Sequence, residues 1–280
     1  MDRPPAPHHL VALLERSTSK TTSGPDIDVP VDTVKPGERQ RTMITEQTLA
    51  TIVNADPNAA RVLEQHHLDY CCGGGRTLQQ ACDDAGVDIA TVMSGLAAEP
   101  SGRSAHWAAM SPGELVDWIE ATHHRYLHEE LPRLDALAQK VASVHGARHP
   151  ELTAVEAAYD ALRSDLEPHL QKEEVVLFPR IRRLGAEQTA ATAIPSLACS
   201  TLSAPISVML SEHDRAGSLM ADLRGLTSDY DLPDDACASY TALYRGLEQL
   251  EADTHLHVHI ENNVLFPAVL ALESEQTSPR

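Results

Sequence analysis

The sequence predicts an all-α protein, an antiparallel four-helix bundle preceded by a small helical domain. Three observations predict it. Residues 43–100 carry no strand pattern. Four long segments carry a helical period, at about 112–142, 150–184, 203–227 and 234–272. The second and fourth of these repeat one motif, HLQKEEVVLFP at 169–179 and HVHIENNVLFP at 257–267.

The chain divides into three parts. Residues 1–42 mix Pro, Ser, Thr, Gly and charge without a period, which predicts a disordered N-terminal extension. Met43 opens a cleaner segment and is a second candidate start. Residues 43–100 read as a small domain of short helices. Thr45 is placed to cap the first, to about Asn54. Asp56 and Pro57 supply a cap and a first-turn proline for the second, ending near His67. Gly73, Gly74 and Gly75 then break the chain, a run suited to positive φ. Thr77 and Asp88 are placed to cap two more helices. The larger domain, 105–275, opens with Ser111-Pro112-Gly113-Glu114, a capping-box pattern. Its longest loop is 185–202.

The repeated motif is His-x3-Glu-x2-Val-Leu-Phe-Pro, offset by 88 residues from His169 to His257. Leu162, Leu166, His169, Glu173 and Val176 fall on one helical stripe, and so do Leu250, Thr254, His257, Glu261 and Val264. The other two long helices each put a histidine in step with apolar residues. His124 runs with Leu127, Leu131 and Leu134; His213 runs with Ile206, Leu210, Gly217 and Met220. A helix pair is therefore present twice, and folded antiparallel it brings four His and two Glu into the middle of a bundle.

Buried imidazoles and carboxylates are costly unless a cation compensates them. Six donors exceed one tetrahedral zinc site, and no cysteine joins them. The set suits non-haem iron or manganese. The simplest arrangement has two metals, each taking two His, with Glu173 and Glu261 bridging both and an oxo or hydroxo bridge completing the set. His123 competes with His124, since neighbours point about 100° apart and only one faces inward. His128, one turn on, is placed to support His124 from behind, and Glu212 to add a third carboxylate or relay protons. His255 and His259 lie off the stripe and are expected outside the site. Glu174 reads as solvated, and Asn262 and Asn263 as polar face residues.

Cys71 and Cys72 sit on the glycine turn DYCCGGG. They could pair with each other or offer thiolates to a metal or to nitric oxide, with the helix after Thr77 lowering a thiol pKa. Cys82, Cys199 and Cys237 read as inert. Five cysteines at irregular spacing do not suggest a disulfide framework. Lys and Arg total 22 against 41 Asp and Glu, a net charge of −19, which disfavours nucleic acid and anionic lipid and favours cations. No apolar run reaches a membrane span, and Leu10–Leu14 is too short for a secretory core, so a cytoplasmic protein is expected.

Together DYCCGGG, THHRYLHEELPRL, HLQKEEVVLFP, PISVMLSEHDRAG and HVHIENNVLFP resemble the repair-of-iron-centres family, over about residues 43–272. Those are iron–sulfur cluster repair proteins with a hemerythrin-like domain. The resemblance implies a μ-oxo di-iron centre in a hemerythrin-like bundle and a small domain bearing the Cys71–Cys72 pair. By position, the family's ligands fall on His124, His169, His213, His257, Glu173 and Glu261, and its further carboxylate on Glu212. The sequence HHRYLH departs from the family's spacing on the first helix, as does the N-terminal tail. The implied function is repair of clusters damaged by nitric oxide or peroxide, by donating iron, with damaged iron–sulfur proteins as clients and a homodimer as the candidate assembly. The alternatives are reduction of nitric oxide at the reduced centre, with the cysteine pair as electron relay, and reversible binding of nitric oxide or dioxygen.

Overall fold

A computed structural model describes residues 44–98, 106–189 and 201–277. The expected extension at 1–42, Met43 and Cys199 lie outside the described residues. Among these the chain is helical throughout, with an isolated bridge between Thr48 and Thr77 and no strand.

Four short helices form the N-terminal module: α1 (Leu49–Ala55), α2 (Ala59–Gln65), α3 (Leu78–Ala85) and α4 (Ile89–Ala98). The first cap is Thr48 and not Thr45; its hydroxyl accepts from Thr51 N at 3.2 Å. The second helix starts two residues later than expected, because Asp56 Oδ1 accepts the Asn58 N–H at 3.0 Å and turns the chain first. Thr77 forms a capping box with Gln80, and Asp88 Oδ1 accepts from Ala90 N. Gly86, at φ 67°, closes α3 in the left-handed region. The interior is Leu49, Val53, Leu63, Leu78 and Val92, all sealed from solvent.

The bundle has four rods, three of them interrupted by a turn of π-helix. The first is α5 (Pro112–Ile119), a π-turn at Glu120–His124, and α6 (Arg125–His145). Ser111 and Glu114 make its expected capping box. The second is α7 (Leu152–Lys172), a π-turn at Glu173–Leu177, and α8 (Phe178–Thr189). The third is α9 (Ser203–Leu226), unbroken. The fourth is α10 (Ala238–Ile260), a π-turn at Glu261–Leu265, and α11 (Phe266–Thr277); it starts at Ala238, four residues later than the period suggested. Helix α6 packs on α7 and α10, α7 on α9, and α9 on α10, which closes the ring.

The π-turns rewrite the stripe. A π-turn bonds i to i+5 and inserts one residue into the helical count. Val176, expected inside, is exposed, and Leu177 takes the core position. In the second copy Leu265 is buried where Val264 was expected. On α9, where there is no π-turn, the buried face is Ile206, Met209, His213, Ala216 and Met220. Leu210 is exposed.

Two apolar clusters fill the bundle. One holds Leu127, Leu131, Leu134, Leu162, Leu166, Met220, Leu247 and Leu250. The other holds Ile119, Leu177, Phe178, Ile206, Met209, Ile260, Leu265 and Phe266. On every rod the predicted His and Glu positions fall between them. The polar residues thus form a single layer between two apolar slabs.

Candidate metal centre

The structure brings together all six residues predicted for the centre. His124, Glu173, His257 and Glu261 form one buried group; His169, Glu173, His213 and Glu261 form another. Within each group the donor atoms lie within 4.8 Å of one another. Both carboxylates belong to both groups. The Nε2 atoms of His124 and His257 are 3.3 Å apart, and those of His169 and His213 are 3.2 Å apart. Nitrogens this close can both reach an ion at bonds of about 2.1 Å.

The two carboxylates are sealed from solvent: Glu173 and Glu261 are 0% exposed. His213 and His257 approach Glu261 at 3.1 Å, and His169 and His124 approach Glu173 at 3.3 and 3.4 Å. None of these approaches is aligned as a hydrogen bond, and none of the four carboxylate oxygens has a hydrogen-bond partner. Buried oxygens in that state are expensive, and a cation among them removes the cost. Two imidazoles and two carboxylates per group, with no sulfur, fit a borderline or hard transition metal.

Charge couples across the layer. Burial and the neighbouring Glu261 push the Glu173 carboxyl up, but His169 and His124 outweigh them and leave it below the usual range. Burial likewise opposes, and His257 and His213 overcome, the same effect at Glu261, which sits well below. Burial pulls His169 down, yet Glu173 and Glu261 carry it up to about 9. His257 goes the other way, lowered by burial that Glu261 does not offset.

Each of three imidazoles is oriented from behind. His124 Nδ1 lies 3.0 Å from Glu174 Oε1, and the same oxygen meets His128 Nε2 at 2.7 Å. Glu174 is thus not the solvated neighbour expected from sequence; it ties His128 to His124. His169 Nδ1 lies 2.9 Å from Glu212 Oε2, and Lys172 holds the other oxygen. His213 Nδ1 donates to Asn262 Oδ1 at 2.7 Å. Asn262 was missed because nothing local marks it; the signal available was its place beside Glu261 in the repeat.

His123 and His124 are both buried, against the expectation that only one faces inward. They lie in the first π-turn, whose wider spacing turns both toward the interior. His124 joins the donor group. His123 stacks on His257, with centroids 5.5 Å apart and planes 4° apart, and its Nδ1 meets Asp253 Oδ1 at 3.0 Å.

His259 and His255 stand outside both groups, and His259 has a different task. Its Nδ1 donates to the Tyr70 carbonyl at 3.1 Å, and its Nε2 lies 3.1 Å from the Asn54 side chain. Burial pulls its pKa to about 4. Asn263 Nδ2 donates to the Cys71 carbonyl at 2.9 Å. These contacts, with Trp107 Nε1 donating to Asn54 Oδ1, seat the module on α10 and the π-turn after it. Asn263 is therefore more than a polar face residue.

Cys71 and Cys72 are free thiols with sulfurs 3.9 Å apart. The Asp69 carboxylate accepts N–H bonds from Cys71, Cys72 and Gly73 at 2.9–3.0 Å and shapes the turn. Contact with Cys72 and burial push the Cys71 thiol well above its usual range, the reverse of the lowering expected from the next helix. Gly73 and Gly74 serve close approach and not positive φ, while Gly75 borders open space. A Cβ on Gly74 would stand 2.4 Å from the Tyr70 carbonyl and about 3 Å from the Asn263 amide. Cys82 is buried; Cys237, expected inert, is exposed and lies 3.1 Å from His145 Nε2.

A four-rod bundle with paired His and Glu donors on an internal repeat defines a cation-binding domain of the hemerythrin type. The family profile described as the hemerythrin HHE cation binding domain matches residues 116–269, and that described as ScdA_N, a domain of unknown function, matches 45–99. The chain is 34% identical over 227 residues to the iron-sulfur cluster repair protein YtfE of Yersinia pseudotuberculosis (serotype IB, strain PB1/+), covering 80% of this chain and 96% of that protein. The YtfE of Yersinia pestis (strain Pestoides F) matches to the same extent. A probable iron-sulfur cluster repair protein of Haemophilus influenzae is 34% identical over 229 residues, covering 80% and 97%. The chain belongs to this family of hemerythrin-domain proteins with a ScdA_N domain. No helix among the described residues is long and apolar enough to cross a membrane.

Proposed function

We propose that this protein repairs iron–sulfur clusters damaged by nitrosative or oxidative stress, donating iron from a centre of two non-haem irons with an oxo or hydroxo bridge. His124 and His257 hold one iron, His169 and His213 the other, and Glu173 and Glu261 serve both. The observation that carries this is the pair of overlapping donor groups whose four carboxylate oxygens accept no hydrogen bond. The relatives named as cluster repair proteins supply the client class. When bound, iron is the cargo passed to a damaged cluster.

The residues divide the work. The apolar slabs keep water from the layer, which strengthens every charge interaction within it. Glu174, Glu212 and Asn262 fix the direction of three imidazoles. Glu212 stands at the layer's edge beside Lys172 and borders a cavity that reaches His169 and His213. Cargo and protons leave on that side. The cysteine pair sits across Asn262 from His213 and is placed to meet the client.

The test is metal analysis and Mössbauer spectroscopy of protein purified without oxygen, then reactivation of an apo or nitrosylated iron–sulfur enzyme. Two coupled irons per chain and restored client activity are expected, with activity lost in His169→Leu and His257→Leu. One zinc per chain, or full repair by an iron-free variant, overturns the proposal.

A further inference from the structure

The two halves of the duplicated bundle match closely at the polar layer, and beyond the exchange of Glu174 for Asn262 behind the imidazoles they differ at a position on the donor stripe itself. Leu166 in the first half corresponds to Thr254 in the second. Leu166 lies three residues before His169, and Thr254 three before His257, so each stands one turn from a donor on the same helix face. Both line a single cavity of about 230 Å³, together with His169, Glu212, His213, Ala216 and His257. His124 is not among its walls. The cavity therefore reaches the layer from the His169–His213 side.

Thr254 is 0% exposed, and its hydroxyl has no hydrogen-bond partner. A buried threonine on a helix ordinarily returns its proton to the carbonyl four residues back. This one does not. An unsatisfied buried hydroxyl is costly, and valine has the same shape without that cost. Leu166, Pro168, Ala216 and Val258 are the cavity's apolar walls, and the charged groups that line it are already paired, Lys172 with Glu212 and Arg215 with Asp165. A hydroxyl there provides one donor, beside imidazoles, in a space for a few atoms.

We propose that Thr254 donates a hydrogen bond to a small ligand of two or three atoms that carries negative charge when held at the His169–His213 position. It makes that position the ligand-accepting side of the centre and sets preference among such ligands by their strength as acceptors. Carbon monoxide, a poor acceptor, gains little from it; azide gains most. The inference rests on the metal centre proposed above and adds to it which side takes a ligand and which residue recognises it.

The experiment titrates azide into the iron-loaded full chain and into iron-loaded Thr254→Val and Thr254→Ser, with iron per chain measured for each. Azide binding is followed by its optical band, and its infrared stretch is recorded in light and heavy water. The expected result is about tenfold weaker azide binding in Thr254→Val, with loss of the solvent-isotope shift of the stretch, and recovery of both in Thr254→Ser. Unchanged affinity and a retained isotope shift in Thr254→Val, at full iron content, overturn the role of Thr254 and leave the metal centre standing. Failure of the wild-type chain to take up iron overturns the metal centre and this inference with it.

Discussion

Asn262 links His213 to the cysteine pair: its Oδ1 accepts from His213 Nδ1 at 2.7 Å, and its Nδ2 lies 4.0 Å from Cys72 Sγ. It holds one imidazole of the polar layer and touches the thiol of the pair that is not sealed. Asn262→Leu removes the acceptor and frees the ring of His213. Such losses behind a metal-bound histidine typically cost about 10–100-fold in affinity. Iron retention against a competing chelator should fall by that factor in Asn262→Leu, and Asn262→Asp should recover most of it. Equal retention in Asn262→Leu would remove Asn262 from the account.

Metal removal should destabilise the bundle selectively. Four buried carboxylate oxygens that accept no hydrogen bond make the metal-free layer costly. A ligand bound only by the folded chain stabilises it by RT ln(1 + [L]/Kd), about 4 kcal/mol at a thousandfold excess over Kd. The thermal midpoint should drop several degrees on chelation in the wild type, and by far less in the double variant Glu173→Gln, Glu261→Gln. A midpoint indifferent to chelation would contradict the layer's role.

Glu64 gives the module a pH dependence of known sign. Burial holds its carboxyl up at about 7, against a hydrogen bond from Tyr70 at 2.7 Å and with Glu251 and Arg224 nearby. Between about pH 4.5 and 7 the folded chain keeps a proton that the unfolded chain has released. The contribution is full below about pH 4.5 and is lost as pH rises through about 7, amounting to at most about 3 kcal/mol. Urea midpoints should therefore decline over that interval in the wild type relative to Glu64→Gln. Parallel profiles for the two proteins would show that Glu64 is not held protonated.

Gly74→Ala tests the seating of the module. The added Cβ would meet the Tyr70 carbonyl at 2.4 Å, a backbone atom that cannot swing aside. Displacing the turn also breaks the bond from Asn263 to Cys71. Overpacking of this kind costs about 1–3 kcal/mol. Hydrogen exchange should quicken in the 69–76 turn and in α1 while the α6–α7 interior keeps its protection. Unchanged exchange in the turn would mean the contact relaxes freely.

Much of this molecule is written in local pattern. The duplicated His-x3-Glu motif, the capping boxes at Ser111 and Thr77, and the four rods follow from spacing and from side chains that bond within one turn. What was hidden depends on departures from the 3.6-residue period or on distant segments. The π-turns moved the core position from Val176 to Leu177 and let His123 and His124 both turn inward. Glu174, Asn262 and Asn263 acquire meaning only from residues far away in sequence, at His124, His213 and Cys71. The glycine run looked like a matter of backbone freedom, and at Gly73 and Gly74 it proved to be one of clearance against Asp69 and Tyr70.

Each donor group draws one histidine and one glutamate from each half of the duplication: His124 and Glu173 with His257 and Glu261, His169 and Glu173 with His213 and Glu261. Neither half can assemble a complete group alone. An ion in this layer is therefore a clasp, and its retention measures how firmly the halves close on each other. Two separate copies of one helix pair, meeting about a two-fold axis, would present the same donor set. The peptide linking the halves adds effective concentration and no new chemistry. A single chain gains from this the freedom to let its halves diverge, as they have at Leu166 against Thr254 and at Glu174 against Asn262.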